Sequence, residues 1–134
     1  MAYHAHQIKG EAHPLKRVVV VDDNEILLRA WKRILSRQAC VYFTTNNPEE
    51  ALEHLQKEGA DLVVCDVVMP RMDGLELTAK IRANSDMADL PVILVTSLES
   101  RDDKERGLEV GANAYLVKSS FEQSNLLEFI QRLL

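Results

Sequence analysis

Short apolar runs in this chain of 134 residues end on side chains that could bind a cation and accept a phosphoryl group. Three carboxylates would suit Mg²⁺, which prefers oxygen ligands in octahedral geometry. One carboxylate could act as a nucleophile toward phosphorus, while an ammonium and a hydroxyl hold the phosphoryl oxygens. The runs, each with the polar residues that end it, are residues 18–21 with Asp22 and Asp23, 62–65 with Asp66, 92–95 with Thr96, and 115–117 with Lys118.

These polar residues meet only if the runs are neighbouring strands of one parallel sheet. The chain alternates strand-like and helix-like segments, which is typical of a parallel sheet with helices on both faces. Ligand sites of such α/β sheets lie at the carboxyl ends of the strands. We therefore predict a doubly wound, five-stranded parallel sheet, with strands at about 17–22, 40–44, 61–66, 91–96 and 114–117.

Helix signals lie between the predicted strands. Asn47, Pro48 and Glu50 form a helix start, with Asn47 as the cap and Pro48 at the first helical position. A helix is also predicted after Asn24, because apolar residues there recur at helical spacing. Its buried stripe would comprise Leu27, Ala30, Trp31, Ile34 and Leu35.

Three more helices are predicted over about 74–83, over about 100–110, and from Ser119 onward. The second of them is the least apolar, because it has almost nothing to bury before Leu108 and Val110. We expect this helix to be weakly held beside the site and therefore able to move.

Length and composition indicate one domain, with residues 16–134 as the folded unit and residues 1–15 as a flexible arm. The formal net charge of −5 at pH 7, without a basic stripe, argues against a direct nucleic-acid partner. No apolar stretch approaches the roughly 20 residues of a membrane helix, so we expect no membrane partner and a cytoplasmic protein. His4, His6 and His13 lie in the arm without acidic partners and are assigned no function.

The two cysteines, Cys40 and Cys65, both lie in strand-like apolar segments and lack Cys-x-x-Cys spacing. We expect buried free thiols. A disulfide is disfavoured, since the first strand would separate the second strand, which carries Cys40, from the third, which carries Cys65.

Longer motifs around the same residues are similar to those of a known family. They occupy residues 20–24, 66–74, 95–97 and 111–118. In this combination and order, over residues 16–134, the chain resembles a receiver domain of two-component response regulators, of the CheY-like class. The resemblance implies a flavodoxin-like sheet of strand order 2-1-3-4-5. It also implies a phosphoprotein that takes part in signal transduction or a phosphorelay, with a histidine kinase as phosphodonor.

By this resemblance, each candidate residue has a role in phosphoryl chemistry. Asp66 would be the phosphoacceptor and would form the aspartyl phosphate. Asp22, Asp23 and Asp66 would hold Mg²⁺ together with the backbone carbonyl of Val68. Lys118 would contact the phosphoryl group.

The resemblance further implies a conformational switch. Thr96 would turn toward the phosphoryl group, and Tyr115 would follow by moving from an exposed to a buried rotamer. A downstream protein would bind the surface formed by the fourth helix, fifth strand and fifth helix. Residues 77–82 and 118–123 look most like receivers attached to chemotaxis-type hybrid histidine kinases.

The chain departs from the family pattern near the site. Ser119 follows Lys118 where many relatives have a cis proline. A cis bond before a residue other than proline costs about 2.5–4 kcal/mol, and the isomer of the Lys118–Ser119 bond stays open. Val68 and Leu98, each two residues past a site residue, are apolar and cannot orient an attacking water. We therefore predict slow self-dephosphorylation.

Other functions remain open at the level of sequence. A pseudo-receiver would keep the fold and bind proteins without phosphorylation. A phosphohydrolase would need a second acid two residues beyond its nucleophile, where Val68 stands, so we expect no enzyme beyond the domain's own phosphorylation and dephosphorylation. A DNA-binding regulator would need an effector domain outside these residues. Partner kinase, target, pathway, oligomeric state and attachment to a larger protein are not specified by the sequence.

Overall fold

The computed structural model describes residues 4–5, 15–97, 101–117 and 132, which form a sheet flanked by helices. The strands are β1 (His4–Ala5), β2 (Lys16–Val21), β3 (Cys40–Thr45), β4 (Leu62–Cys65), β5 (Val92–Thr96) and β6 (Ala114–Val117). The helices are α1 (Glu25–Leu35), α2 (Pro48–Glu58), α3 (Gly74–Ala83) and α4 (Arg101–Glu109). The predicted last helix lies outside the described residues.

Strands β2 to β6 pair in parallel in the order β3-β2-β4-β5-β6. Numbered without β1, this is the order 2-1-3-4-5, so the predicted doubly wound five-stranded sheet is confirmed. Every predicted strand is present, with bounds that differ by one residue at some ends. The register pairs Val21 of β2 with Cys65 of β4, so the residues that follow these two are neighbours at one edge of the sheet.

Apolar side chains cover both faces of the sheet. The central strands β2, β4 and β5 are mostly apolar, and all their residues are buried except Lys16 and Arg17 at the start of β2, as expected for strands with helices on either side. One cluster packs beneath α2 and α3 and includes Leu55, Leu77 and Ile81. The other packs beneath α1 and includes Trp31 and Leu35.

The buried stripe of α1 differs from the predicted stripe. Three of the five predicted residues are buried, namely Trp31, Ile34 and Leu35. Ala30 and Leu27 are half-buried, and Leu28 is buried where Leu27 was expected. Apolar residues occupy both positions, so spacing alone does not decide which one faces the sheet.

The first two helices begin where predicted, and each has a side-chain cap, of which the one at Asn47 was predicted. Asn24 Oδ1 accepts hydrogen bonds from the N–H groups of Ile26 at 2.9 Å and Leu27 at 3.2 Å. Asn47 Oδ1 accepts from Glu49 at 2.9 Å and Glu50 at 3.3 Å. These bonds satisfy backbone donors that have no partner within the helix, and they place both helix starts directly after strand ends.

At the opposite edge, Arg82 ties the end of α3 to the starts of β5 and β6. Its guanidinium donates to the carbonyl oxygens of Leu90 at 2.6 Å and Gly111 at 2.9 Å, and to Oδ1 of Asn113 at 2.8 Å. Asn113 Oδ1 also accepts the N–H of Val92 at 2.8 Å. This network fixes the amino ends of the strands.

Residues 4 and 5 of the predicted arm form a two-residue strand at the sheet edge. They pair antiparallel with β3, His4 opposite Tyr42 and Ala5 opposite Val41. The remainder of residues 1–14 lies outside the described part of the chain, so the flexible arm stays a prediction.

Both cysteines are buried free thiols, as predicted. Cys40 lies on β3 and Cys65 on β4, with β2 between them. Among the helices that the structure describes, none combines the length and the apolar character needed to span a membrane.

Candidate functional site

Asp22 and Asp23 follow β2 at the carboxyl edge of the sheet, with different exposure. The N–H of Asp22 donates to the carbonyl of Thr45 at 3.1 Å, which ties the strand end to β3. Its Oδ1 accepts the N–H of Asn24 at 2.9 Å. Asp22 is 2% exposed, whereas Asp23 is exposed. One carboxylate therefore lies within the protein and the other faces the solvent side of the same pocket.

Asp66 occupies the equivalent position after β4. Its N–H donates to the carbonyl of Val21 at 2.9 Å, so the backbone continues the pairing of β4 with β2 for one more residue. Oδ1 of Asp66 accepts the N–H of Val68 at 3.3 Å. The residue is 5% exposed. The first bond fixes the backbone at the strand end, and the second orients the carboxylate.

The structure brings the three carboxylates together. One oxygen from each of Asp22, Asp23 and Asp66 lies within 4.8 Å of the other two. Ligand oxygens of one Mg²⁺ ion lie roughly 3–4 Å apart, because each Mg–O bond is about 2.0–2.1 Å. The cluster therefore fits a small divalent cation after a minor approach of the side chains.

The negative charge of this pocket affects the pKa of the buried thiol of Cys65. Burial raises its pKa well above the usual value, and the carboxylates of Asp66, Asp22 and Asp73 raise it further. The Sγ atom lies 3.2 Å from the backbone carbonyl of Asp66, to which it donates. A site with this electrostatic character favours a divalent cation, which lowers the repulsion between its carboxylates.

A close backbone contact holds the loop after Asp66. The N–H of Gly74 donates to the carbonyl of Val67 at 2.8 Å. A Cβ atom at Gly74 would lie 2.3 Å from the carbonyl oxygen of Asp66, so only glycine fits at the start of α3. Asp73 caps the helix by accepting the N–H of Glu76 at 2.8 Å. The sequence signal at residues 66–74 thus corresponds to a loop that returns the chain against the site.

Thr96 and Tyr115, the two predicted switch residues, lie on adjacent strands. Thr96 is fully buried at the end of β5, in register with Val117 of β6. Tyr115 is paired with Leu94 and is 8% exposed, so the ring is buried in this structure. Burial raises the pKa of Tyr115, and the nearby Asp103 adds to this effect.

The remaining predicted residues have less structural support. Lys118, Ser119 and Leu98 lie outside the described residues, so their predicted roles stay predictions. Val68 lies in the loop after Asp66, where its side chain is 54% exposed. Its backbone N–H contacts Asp66, and its apolar side chain is exposed.

Two features near the site were not identified from the sequence. Asp73 contributes to the negative potential of the pocket, and its place three residues before Glu76 was a capping signal. Gly107 is the buried residue of α4 among residues 101–109, and Leu108, expected to face the core, is 45% exposed. A lone glycine in a polar helix gives no sequence signal for burial.

The strand order and the acidic cluster agree with a comparison against protein families. The family model described as the response regulator receiver domain matches residues 18–131. The chain belongs to the receiver-domain family. Receiver domains bind Mg²⁺ through an acidic pocket, and Asp22, Asp23 and Asp66 form such a pocket in this one.

Individual proteins similar to this receiver domain come from several bacteria. It is 36% identical over 117 residues to a gliding motility regulatory protein of Myxococcus xanthus, and the matched region is 87% of this chain and 15% of that protein. It is 36% identical over 118 residues to response regulator MprA of Mycobacterium leprae, and the matched region is 88% of this chain and 50% of MprA. The receiver domain thus spans half or less of these curated relatives.

A solved structure of similar fold has the length of the receiver domain alone. The chemotaxis protein CheY4 of Vibrio cholerae superposes with a TM-score of 0.82 and 32% identity, over 90% of this chain and 99% of that one. This likeness confirms the CheY-like, flavodoxin-like fold. The receiver domain is a module of two-component signalling.

Proposed function

We propose that this receiver domain accepts a phosphoryl group on Asp66 from a histidine kinase and thereby changes a protein-binding surface. The observation that carries the proposal is the convergence of three carboxylates at the carboxyl edge of the sheet. Asp66 is the proposed nucleophile of the three, because it follows β4, which lies between β2 and β5, the strands that carry Asp22, Asp23 and Thr96.

Phosphoryl transfer would form one bond and break another. An oxygen of Asp66 would attack the phosphorus of a phosphohistidine, and the P–N bond would break with its electron pair going to the imidazole of the kinase. Bound Mg²⁺ would neutralise the carboxylates and the phosphoryl oxygens. Asp22, Asp23, Asp66 and the backbone carbonyl of Val68 are the proposed ligands.

The proposed response to phosphorylation involves three residues: Lys118, Thr96 and Tyr115. Lys118 follows β6, the strand next to β5, so its ammonium would start near the carboxyl edge and could pair with a phosphoryl oxygen. The hydroxyl of Thr96 would donate to another oxygen. Tyr115, one strand away, would couple that change to the predicted binding surface, which consists of α4, β6 and the predicted last helix.

The setting of the domain is part of the proposal. We expect a cytoplasmic protein without a membrane partner, and no contact of this domain with nucleic acid. MprA is named a response regulator, and its length beyond the matched half leaves room for an effector. A longer protein that contains this receiver domain could therefore act on DNA through another domain, or be a hybrid kinase of the chemotaxis type.

The test is intact-mass analysis after incubation with a small phosphodonor and Mg²⁺. We expect the mass of one phosphoryl group on the wild type and none when Mg²⁺ is chelated. Asp66→Asn should give no adduct. Asp86→Asn, which removes an exposed carboxylate in the turn after α3, is the matched control and should react like the wild type.

Three results would contradict the proposal. An adduct on Asp66→Asn would place the phosphoacceptor elsewhere. No adduct on the wild type, even with a chemotaxis-type kinase as donor, would favour the pseudo-receiver. Turnover of an external phosphomonoester, which we do not expect, would indicate a phosphohydrolase.

The exposed side chain of Val68 predicts a long-lived phosphoryl group. The backbone N–H of Val68 lies 3.3 Å from Oδ1 of Asp66, and an apolar side chain cannot donate to or accept from an attacking water. Val68→Asn should therefore shorten the lifetime of the adduct, measured by mass after the donor is removed. Val68→Ala is the matched control and should leave the lifetime long. Equal lifetimes for Val68→Asn and the wild type would refute this explanation.

A further inference from the structure

Helix α4 packs on the sheet at a position without a side chain. Among residues 101–109, Gly107 is the buried one. A Cβ atom at Gly107 would lie 2.8 Å from Cδ2 and 3.1 Å from Cε2 of Tyr115, and 3.1 Å from Cδ1 of Leu94. The first distance is shorter than van der Waals contact allows, so the ring occupies space that any other residue at 107 would fill.

The helix backbone does not itself require glycine at this position. Gly107 lies within a helix, whereas Gly111, just beyond the end of α4, has a φ of 105° that favours glycine. Inside a helix, glycine is less favourable than alanine because it loses more conformational freedom. The contact with Tyr115 and Leu94 is therefore the structural reason for glycine at 107.

The ring of Tyr115 is in turn the support on which α4 rests. Tyr115 is buried between α4 and the sheet, on a strand that α4 contacts. Leu108, the next apolar residue of the helix, is 45% exposed and does not anchor it. The position of the ring and the position of α4 are thus linked, because neither can change without changing the contact at Gly107.

We propose that Gly107 is a positioning residue that leaves room for the ring of Tyr115 in its buried rotamer, so that this rotamer, which the proposed function assigns to the switched arrangement, is open to the receiver domain. The second half of this inference rests on the proposed function, in which Tyr115 reports the state of Asp66. A methyl group at 107 would push the ring outward or lift α4 from the sheet. Either change alters the surface formed by α4 and β6.

The first test measures the ring alone, without a phosphodonor. The chain is labelled with 3-fluorotyrosine, and the ¹⁹F resonance of residue 115 is assigned by Tyr115→Phe. In the wild type we expect a small solvent isotope shift between H₂O and D₂O, as for a buried ring. In Gly107→Ala the shift should become that of an exposed ring, or the amides of α4 should exchange several-fold faster.

Leu108→Ala is the matched control, because it changes the neighbouring position of the same helix. It should leave the ¹⁹F resonance of Tyr115 and the exchange of α4 amides as in the wild type. If Gly107→Ala also leaves both unchanged, the ring does not depend on the space at Gly107 and the inference is overturned.

A double variant keeps the test decisive if Gly107→Ala folds poorly. With Tyr115 present, the added methyl group should lower the urea midpoint of unfolding. In the Tyr115→Ala background the ring is gone, and Gly107→Ala should then raise the midpoint, since alanine is the better helix former. A lowered midpoint in both backgrounds would overturn the inference, because the clash would not involve Tyr115.

The link to signalling is tested separately by the rate of phosphorylation with a small phosphodonor. If the buried ring favours the switched state, Gly107→Ala should slow the reaction several-fold relative to Leu108→Ala. An unchanged rate in a variant whose ring has moved outward would refute the regulatory half. If the wild type takes no phosphoryl group at all, the proposed function fails, while the ¹⁹F and unfolding results still decide how Gly107 acts on Tyr115.

Discussion

Helices α1 and α4 each follow a strand that carries candidate site residues, but they are held to the sheet in opposite ways. Helix α1 comes after Asp22 and Asp23, begins at a side-chain cap, and buries Leu28, Trp31, Ile34 and Leu35. Helix α4 follows β5, which ends at Thr96, and within residues 101–109 it buries Gly107.

The two parts of the site therefore differ in how firmly the neighbouring helix is held: the acidic corner, with Asp22 and Asp23, and the corner of Thr96 and Tyr115. The acidic corner is attached to a helix with large buried side chains, so its carboxylates keep their geometry. The corner of Thr96 and Tyr115 is next to a helix that buries no large side chain of its own among residues 101–109. Segments with few buried apolar contacts open at low free-energy cost, and such segments are suited to conformational switching.

The sharpest test of this contrast removes the largest anchor of α1. Trp31→Ala should destabilise the chain by about 3–5 kcal/mol, the usual cost of truncating a buried aromatic residue. Urea unfolding measures the change. Ile26→Ala is the matched control, because Ile26 is an apolar residue of the same helix that is 76% exposed. A loss for Trp31→Ala no larger than for the control would remove the distinction between the two helices.

A smaller effect is expected from Gly74→Ala, which tests the loop that closes against the acidic corner. The new Cβ would meet the carbonyl of Asp66 at 2.3 Å, so the loop must move. We expect a loss of about 1–3 kcal/mol, typical of overpacking, together with weaker phosphorylation. Glu76→Ala, at an exposed position of the same helix, should change neither quantity appreciably. Unaltered stability of Gly74→Ala would mean that the contact is not restrictive.

Helix α2 offers a third kind of anchor, whose strength should depend on pH. The buried ring of His54 stacks on Phe43 of β3 with centroids 4.1 Å apart. Burial lowers the pKa of His54, although Glu58 and Glu50 oppose this effect.

The lowered pKa sets the direction of this dependence. In the unfolded chain, histidine has a pKa of about 6.5. Below that pH the unfolded chain binds more protons than the folded chain, so the free energy of unfolding should fall as the pH decreases through this range. His54→Phe should keep the stack and flatten the dependence. Urea midpoints at several pH values, compared between the two chains, measure it. A dependence that persists unchanged in His54→Phe would assign it to other groups.

The smallest effect is expected at α4. Leu108→Ala should change the free energy of unfolding by no more than about 0.5 kcal/mol, as is usual at exposed positions. Measured beside Trp31→Ala, it gives the contrast between the two helices directly. A loss of several kcal/mol would mean that α4 is anchored through Leu108, and the account of a weakly held helix would be wrong.

Much of the fold could be predicted because the central strands are short apolar runs bounded by polar residues. Runs of this kind, buried on both faces, alternate with helix caps at Asn24 and Asn47, and this pattern allows few topologies. The convergence of Asp22, Asp23 and Asp66 followed from the same pattern, since the ends of adjacent parallel strands lie side by side. Their roles in phosphoryl chemistry remain predictions.

The sequence alone therefore dictated the strand ends and the residues that meet there. The tertiary structure decided which side of each helix faces the sheet: Leu28 in place of Leu27 in α1, and Gly107 in place of Leu108 in α4. It also decided that the ring of Tyr115 is buried. The spacing of residues predicts the buried face of a helix only where apolar side chains lie on that face. The space above Gly107, in contrast, exists only because α4 packs against the ring of Tyr115.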